Sequence, residues 1–527
     1  MRRSAVMAGS LTLVLALSAC GGGSDGDNGG AGGEGVQVAE ELNIGYNAQP
    51  PTMDPLLTTA HATRVFSRVI FEPLLTLDAE GEVQPVLAES YEVSDDGLTI
   101  TFQLREDVVF HDGSDLEAAD VVASLERWQE MSTIGPSYFE DAEIESPEEG
   151  VVTITMPDPM YVAPELLADP AQIAHVMPAE VIEGAGEDGI QEYIGTGPYE
   201  FGDWETDQYL RFDRFEDYSS PEGEPSGMAG EKTAYFEEMY FRFIADDSTR
   251  LSGLQTGEYD LGVPIPWDNI EVAENDPNVE VILGEAGVQF GIFNKEELPM
   301  SDINMRHAVV AAMETEDILL SSYGDEEFYT NDSALMPEDS PWYIPADPEF
   351  EDFHQNQDLD AAEQYLEDAD YDGEEIRILV TRDYEDHYNS GVVLQQQLEQ
   401  AGMNTELIVT DWPTVTERRE DPSEYEITIT SISNWPVVPA TFHYFNPSWV
   451  GWTDNDEIFD AAAEMTGAED EEGAVAAMEG LQEAEAAYLP VAKFGNRTQA
   501  GGLNVEFEGY EFISGVGEIF HHIRPVE

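Results

Sequence analysis

The chain has 527 residues, and 20 lysines and arginines stand against 111 aspartates and glutamates, a formal net charge of −91. That imbalance excludes nucleic acid as a partner, while 42% apolar and 10% aromatic residues argue for a packed core rather than an acidic disordered chain. Such a charge reads as an adaptation to salt, because near 1 M ionic strength the screening length falls to roughly 3 Å and self-repulsion is largely quenched.

In chain order, the first feature is Arg2-Arg3 followed by an apolar run from Ala5 to Leu17 and by Leu17-Ser18-Ala19-Cys20. Together they read as an export signal, residues 1–19, ending at a cysteine destined for lipid. The run is shorter than the ~20 residues of a spanning helix. Cys20 is the single cysteine, which excludes internal disulfides. Residues 20–40 are Gly-rich and acidic and read as a flexible linker behind that anchor, tethering the protein to the outer face of the cytoplasmic membrane. The remaining residues, 41–527, exceed what one hydrophobic core serves, so two or three lobes are expected.

Asp95-Asp96-Gly97 marks a turn, and the alternation from Leu98 to Leu104 predicts a half-buried strand. From Leu116 onward, Val121, Val122, Leu125 and Trp128 fall at helical spacing, with Ser114 or Asp115 placed to cap the helix. Helices are predicted over Asp360 to Asp368 and Tyr388 to Gln400, closed by Gly373 and Gly402. Strands are predicted over Ile376 to Val380, Glu406 to Val409 and Glu426 to Thr430. Alternating helices and strands of this kind make an α/β protein.

Enzyme signatures are missing. Gly195-Thr196-Gly197 lacks the lysine of a phosphate loop, and neither His-Glu-x-x-His nor, outside the Gly-rich linker, Gly-x-Ser-x-Gly occurs. With 111 carboxylates, an acidic pair at glycosidase spacing arises by chance. His521-His522 reads as a surface or core pair, so no metal and no cofactor are expected.

A string of short signatures carries more. Asp54-Pro55, Phe71-Glu72-Pro73-Leu74-Leu75, Pro85-Val86-Leu87-Ala88-Glu89-Ser90, Phe102-Gln103-Leu104-Arg105 and Phe110-His111-Asp112-Gly113 follow in order. Ile194-Gly195-Thr196-Gly197-Pro198-Tyr199, Asp217-Tyr218, Leu254 to Asp260 and Phe290-Gly291-Ile292-Phe293-Asn294 continue the series. In order and spacing this resembles the family 5 solute-binding proteins, the dipeptide, oligopeptide and nickel receptors of ABC importers. The resemblance implies a type II periplasmic-binding-protein-like α/β fold, with two large lobes joined by hinge strands and a smaller inserted subdomain. One lobe would combine 41–76, 195–287 and 495–527, the insertion would be 77–194, and the second lobe 288–494. It further implies a monomeric receptor that closes on a peptide or peptide-like solute and docks on membrane permease subunits. A receptor for a metal chelate or another small carboxylate compound is the alternative within that class, and a secreted hydrolase the alternative outside it.

Ligands of open α/β sheets bind beyond the carboxyl ends of strands, which directs attention to a few positions. By resemblance, Thr59 and His61 line the pocket, unless they belong to an ordinary surface loop. Phe290 opens the second lobe. Arg382 and Tyr384 resemble an Arg-x-Tyr segment whose arginine holds a substrate carboxylate, a task suited to the guanidinium fork; an ion-pair role is the alternative. Trp412 and Arg419 resemble pocket residues of oligopeptide-binding members, with core packing as the other reading of Trp412. Asn434 and Trp435 stand where peptide-binding members carry an aspartate for the substrate amine. No acid occurs from Ser431 to Pro439, which leaves Asp383, Asp386 or Asp411 to supply that charge.

The charge argument is testable by circular dichroism between molar and millimolar salt. Low salt is expected to loosen or unfold the protein, and an unchanged spectrum would contradict the screening reading.

Overall fold

Val279–Phe293 and Val491–Asn504 are strands of 15 and 14 residues, more than twice the usual length of about 5–6. They run antiparallel beside each other from Val279 opposite Asn504 to Ile292 opposite Val491. The structure is a computed structural model describing residues 38–186, 189–433 and 435–526. The expected signal segment, Cys20 with the linker up to residue 37, and Asn434 lie outside the described residues. Among those residues, eleven strands form one sheet around the long pair.

On one flank the order is Leu261–Ile265, Ala39–Tyr46, Phe236–Phe243, Tyr209–Arg214 and Tyr199–Glu205; on the other it is Ile427–Ile432, Glu375–Thr381 and Asn404–Thr410. Each flank has a parallel centre. Ala39–Tyr46 pairs parallel with both of its neighbours, and so does Glu375–Thr381. Parallel pairs need crossover helices, and these are present: Asp247–Thr256 leads into Leu261–Ile265, and Glu385–Gln400 joins Glu375–Thr381 to Asn404–Thr410. Asp246 caps the former through Thr249 N, and Gly257 ends it at φ 73°. The helix predicted from Tyr388 begins at Glu385, because its polar first turn adds nothing to apolar periodicity.

A separate four-stranded antiparallel sheet orders Ala88–Val93, Thr99–Leu104, Val151–Thr155 and Glu143–Glu148. Ile100, Phe102 and Leu104 point inward with period two, and the helix Ala118–Met131 covers the same core with Val121, Leu125 and Trp128. The cap expected from Ser114 or Asp115 is instead Glu117, in a capping box with Asp120. Ser114 is held in the preceding turn by the Asp112 carboxylate. Among the described residues no helix is long and apolar enough to cross a membrane.

The recurring signatures turn out to be joints. Buried Glu72 accepts from Lys232 Nζ at 2.8 Å, from the Tyr218 hydroxyl at 2.9 Å and from Thr196 Oγ1 at 3.1 Å. His111 accepts from Gly195 N at Nδ1 and donates from Nε2 to the Gly197 carbonyl, which fixes its tautomer. Buried Asp54 is held by Arg127 at 2.5 Å and by Ile190 N at 2.9 Å. All three lysines are inside: Lys232, Lys295 and Lys493 are 5%, 8% and 8% exposed. Lys295 donates to the carbonyls of Phe293 and Pro490, and Lys493 to that of Ala334.

The long pair is irregular at its middle. Its register shifts between Glu285 and Val288 and again between Gln289 and Phe290, and Gly287 there has φ 114°. A Cβ at Gly287 would lie 1.9 Å from the Ile432 carbonyl oxygen. Gly287→Val is therefore expected to destabilise the protein by roughly 1–3 kcal/mol or more, visible as a lowered thermal midpoint. A midpoint equal to that of the wild type would show that the junction tolerates a side chain.

Candidate functional site

The strand Ile427–Ile432 ends against the middle of the long pair, and the chain then runs into a loop dense in aromatic residues. Two short 3-10 turns, Pro439–Thr441 and His443–Phe445, fold this loop on itself. Phe442 stacks on Tyr444 with centroids 4.8 Å apart, and meets Phe445 and Trp435 edge-on at 5.9 and 6.0 Å. The result is a rigid aromatic wall. Phe290 is fully buried one layer behind it, edge-on to Tyr444 at 5.5 Å.

This wall borders a cleft of about 850 Å³, within the range of small-ligand sites. Opposite it stand Thr59 and Arg64, and Thr133, Tyr138 and Asp169 from the segment that carries the four-stranded sheet. Although the chain is crowded with acids, Asp169 is the one carboxylate among the described residues lining this cleft. Asp169 is 3% exposed. Its carboxylate accepts from Ala171 N at 2.7 Å and from the backbone of Val437. Burial pushes its pKa up, against the opposing pull of those bonds and of Arg64 and Arg68.

His61 opens the helix His61–Ile70 rather than lying in the loop before it. Its Nε2 is 2.6 Å from Glu518, and its Nδ1 is 3.3 Å from an Arg64 nitrogen. Glu518 also accepts from Gln499 on the long strand at 2.9 Å. His61 thus ties this helix to the long pair.

Beyond the carboxyl ends of the outer strands lies a second cluster. Tyr384 meets Trp412 and His387 with centroids at 5.3 and 5.2 Å, and the Arg419 guanidinium lies 5.6 Å from the Trp412 ring. Arg382 packs on Tyr388, 4.7 Å from its ring centre, and donates to its hydroxyl at 3.2 Å. His387 contacts Ser431 at 3.2 Å, adjoining Ile432 of the main cleft. Of the expected positions, Thr59 and Trp435 line the main cleft, while Arg382, Tyr384, Trp412 and Arg419 gather in this neighbouring group. The Asp383 carboxylate accepts from Trp412 N across to the next strand end, and Asp411 caps the helix Trp412–Arg418, so both acids are engaged by backbone N–H groups. Trp435 is 4% exposed and its indole N–H has no acceptor.

Residues 82–454 match the family described as Bacterial extracellular solute-binding proteins, family 5 Middle. The chain belongs to that family. It is 29% identical over 430 residues to the probable peptide ABC transporter periplasmic-binding protein y4tO of Sinorhizobium fredii (strain NBRC 101917 / NGR234), across 77% of this chain and 78% of that one. Similarity to the glutathione-binding protein GsiB of Escherichia coli (strain K12), 30% over 276 residues, spans 52% of each chain. The ABC transporter substrate binding protein CtaP of Listeria monocytogenes superposes with a TM-score of 0.81 at 19% identity, covering 93% of this chain and 100% of that one. The fold is the type II periplasmic-binding-protein fold, and the protein is an extracytoplasmic receptor that binds a solute.

Arg64, Asp169, Tyr138 and the loop aromatics were the residues that sequence reasoning missed in this receptor. The run Phe442, Tyr444, Phe445, Trp449 and Trp452 was a usable compositional signal, whereas Asp169 carried none in so acidic a chain.

The Glu518 carboxyl is pulled up by burial, but its contact with His61 and the bonds from its own backbone and Gln499 outweigh this and lower its pKa from 4.5. A depressed folded value means that the stabilisation is present above the unfolded pKa and is lost as pH falls through the folded one. Glu518→Gln is expected to lower stability by about 1–3 kcal/mol at neutral pH, with the gap closing in acid below 4.5. Thermal melts of both proteins across pH would show it; a gap constant with pH would contradict it.

Proposed function

We propose that this receptor captures a short peptide or peptide-like solute in the 850 Å³ cleft and delivers it unaltered to the permease of an ABC importer. In this reading residues 41–76, 195–287 and 495–527 form one jaw, 288–494 the other, and 77–194 an insertion that completes the cleft. Ligand contacts to both jaws favour the closed arrangement of a pre-existing equilibrium. The irregular middle of the long pair, around Gly287, is where the two jaws flex. Removal of residues 1–19, a lipid on Cys20, a monomeric state and adaptation to salt complete the proposal. The protein performs no chemistry on its cargo.

Asp169 carries this reading. Its buried carboxylate receives bonds from Ala171 on one wall and Val437 on the other, and its oxygens retain lone pairs beyond those two bonds. An ammonium group there would offset the cost of burying the charge. Arg64 supplies positive charge to the same cleft for a carboxylate end, and the aromatic wall accepts varied side chains between them. Relatives named for peptide and glutathione binding are in keeping with this chemistry.

Calorimetric titration with trialanine and its N-acetylated form tests the assignment. Asp169→Asn is expected to weaken the free-amine peptide by about tenfold, the worth of one charged hydrogen bond, and the acetylated one far less. Mass spectrometry is expected to recover the peptide intact. Equal losses for both peptides would remove Asp169 from the amine site, and a transformed peptide would overturn the receptor reading.

A further inference from the structure

Trp435, Pro436 and Gly515 line the main cleft on one side and a second hollow of about 280 Å³ on the other. At just under the roughly 300 Å³ where whole-ligand pockets begin, this bay suits a single side chain. Its apolar walls are Tyr161, Trp342 and Trp435, the two tryptophans being 8% and 4% exposed. Its charged lining is Glu82, Glu165, Asp339 and Glu471, and no lysine or arginine lines it among the described residues.

In this chain an acidic surface means little, so the contrast between the two hollows decides. Among the described residues the larger cleft has one lining carboxylate and the smaller bay four. Glu82, Asp339 and Glu471 are exposed at its rim, and Glu165 sits deeper, beside the aromatic walls. Glu165 is half-buried there, and burial raises its pKa to about 7, with Glu82 adding to the rise. Trp435 adds an independent sign, because it lines both hollows and its buried indole N–H lacks an acceptor. A cation between carboxylates and tryptophan faces gains from both, and an adjoining carbonyl would accept from the orphan N–H.

We propose that this bay is the subsite for a basic side chain, so that the cargo is a peptide carrying a guanidinium or ammonium group, its adjoining main-chain carbonyl accepting from Trp435 Nε1. The proposal rests on the peptide reading of the main cleft and narrows the class of peptide.

The test is calorimetric titration of the full protein at molar salt, where attraction by the general surface charge is screened. The probes are tripeptides of alanine with one arginine at the first, second or third position, each paired with its neutral citrulline counterpart. At one position the arginine peptide is expected to bind about tenfold tighter than the citrulline one, the size of a desolvated cation contact. Glu165→Gln and, at an exposed position, Glu82→Gln are each expected to reduce that ratio to about threefold or less, in proteins whose thermal melts match the wild type. Glu363→Gln, which removes the same charge from an exposed site on the helix Leu359–Asp368, should leave the ratio as it was. Trp435→Phe keeps an aromatic face but removes the N–H, and is expected to weaken both members of a pair together. Equal affinity within all three pairs, or a ratio unmoved by both bay variants, overturns the basic subsite while leaving the peptide receptor standing. Failure of every tripeptide to bind overturns both.

Discussion

The antiparallel pairing of Val279–Phe293 with Val491–Asn504 is the constraint on which the molecule depends. One backbone ladder carries two flanks with parallel centres, so any movement of one flank against the other would have to bend this pair. Its two ends are regular, and its middle holds two register shifts and a glycine backed against the Ile432 carbonyl. Beside that same irregular stretch, Ile432 and Ser433 begin the loop that walls the cleft. Bending at this point would act directly on the loop that walls the cleft, with no relay through intervening layers.

Most of the fold was legible because its elements are strongly periodic. The strand predicted from Ile376 to Val380 is Glu375–Thr381, and the helix predicted over Asp360 to Asp368 is Leu359–Asp368. Misses fell at helix starts, where capping chemistry rather than apolar spacing decides: Glu117 with Asp120 displaced the nearer Ser114 and Asp115. The family signatures were legible for a different reason from the one usually sought. Asp54, Glu72, His111 and Gly195 to Gly197 are junctions between distant segments, so they identify the architecture while standing outside the lining of the main cleft.

The site was far less legible. Aromatic side chains with specific neighbours, such as Trp435, stand out by rarity, and that position does border the cleft. Carboxylates do not stand out among 111. Asp169 becomes noticeable once tertiary structure places it as the one lining acid of the cleft among the described residues. In the proposed reading the amine-pairing charge sought near Ser433 comes from the opposite wall instead, a placement that no local pattern in the chain reveals.

The interior placement of every lysine has a practical side. Lys232 is locked against Glu72, while Lys295 and Lys493 spend their protons on backbone carbonyls. Reagents that acylate primary amines find these three side chains only when the packing opens. Their rate of modification is a built-in gauge of how often the native ensemble breathes, readable residue by residue.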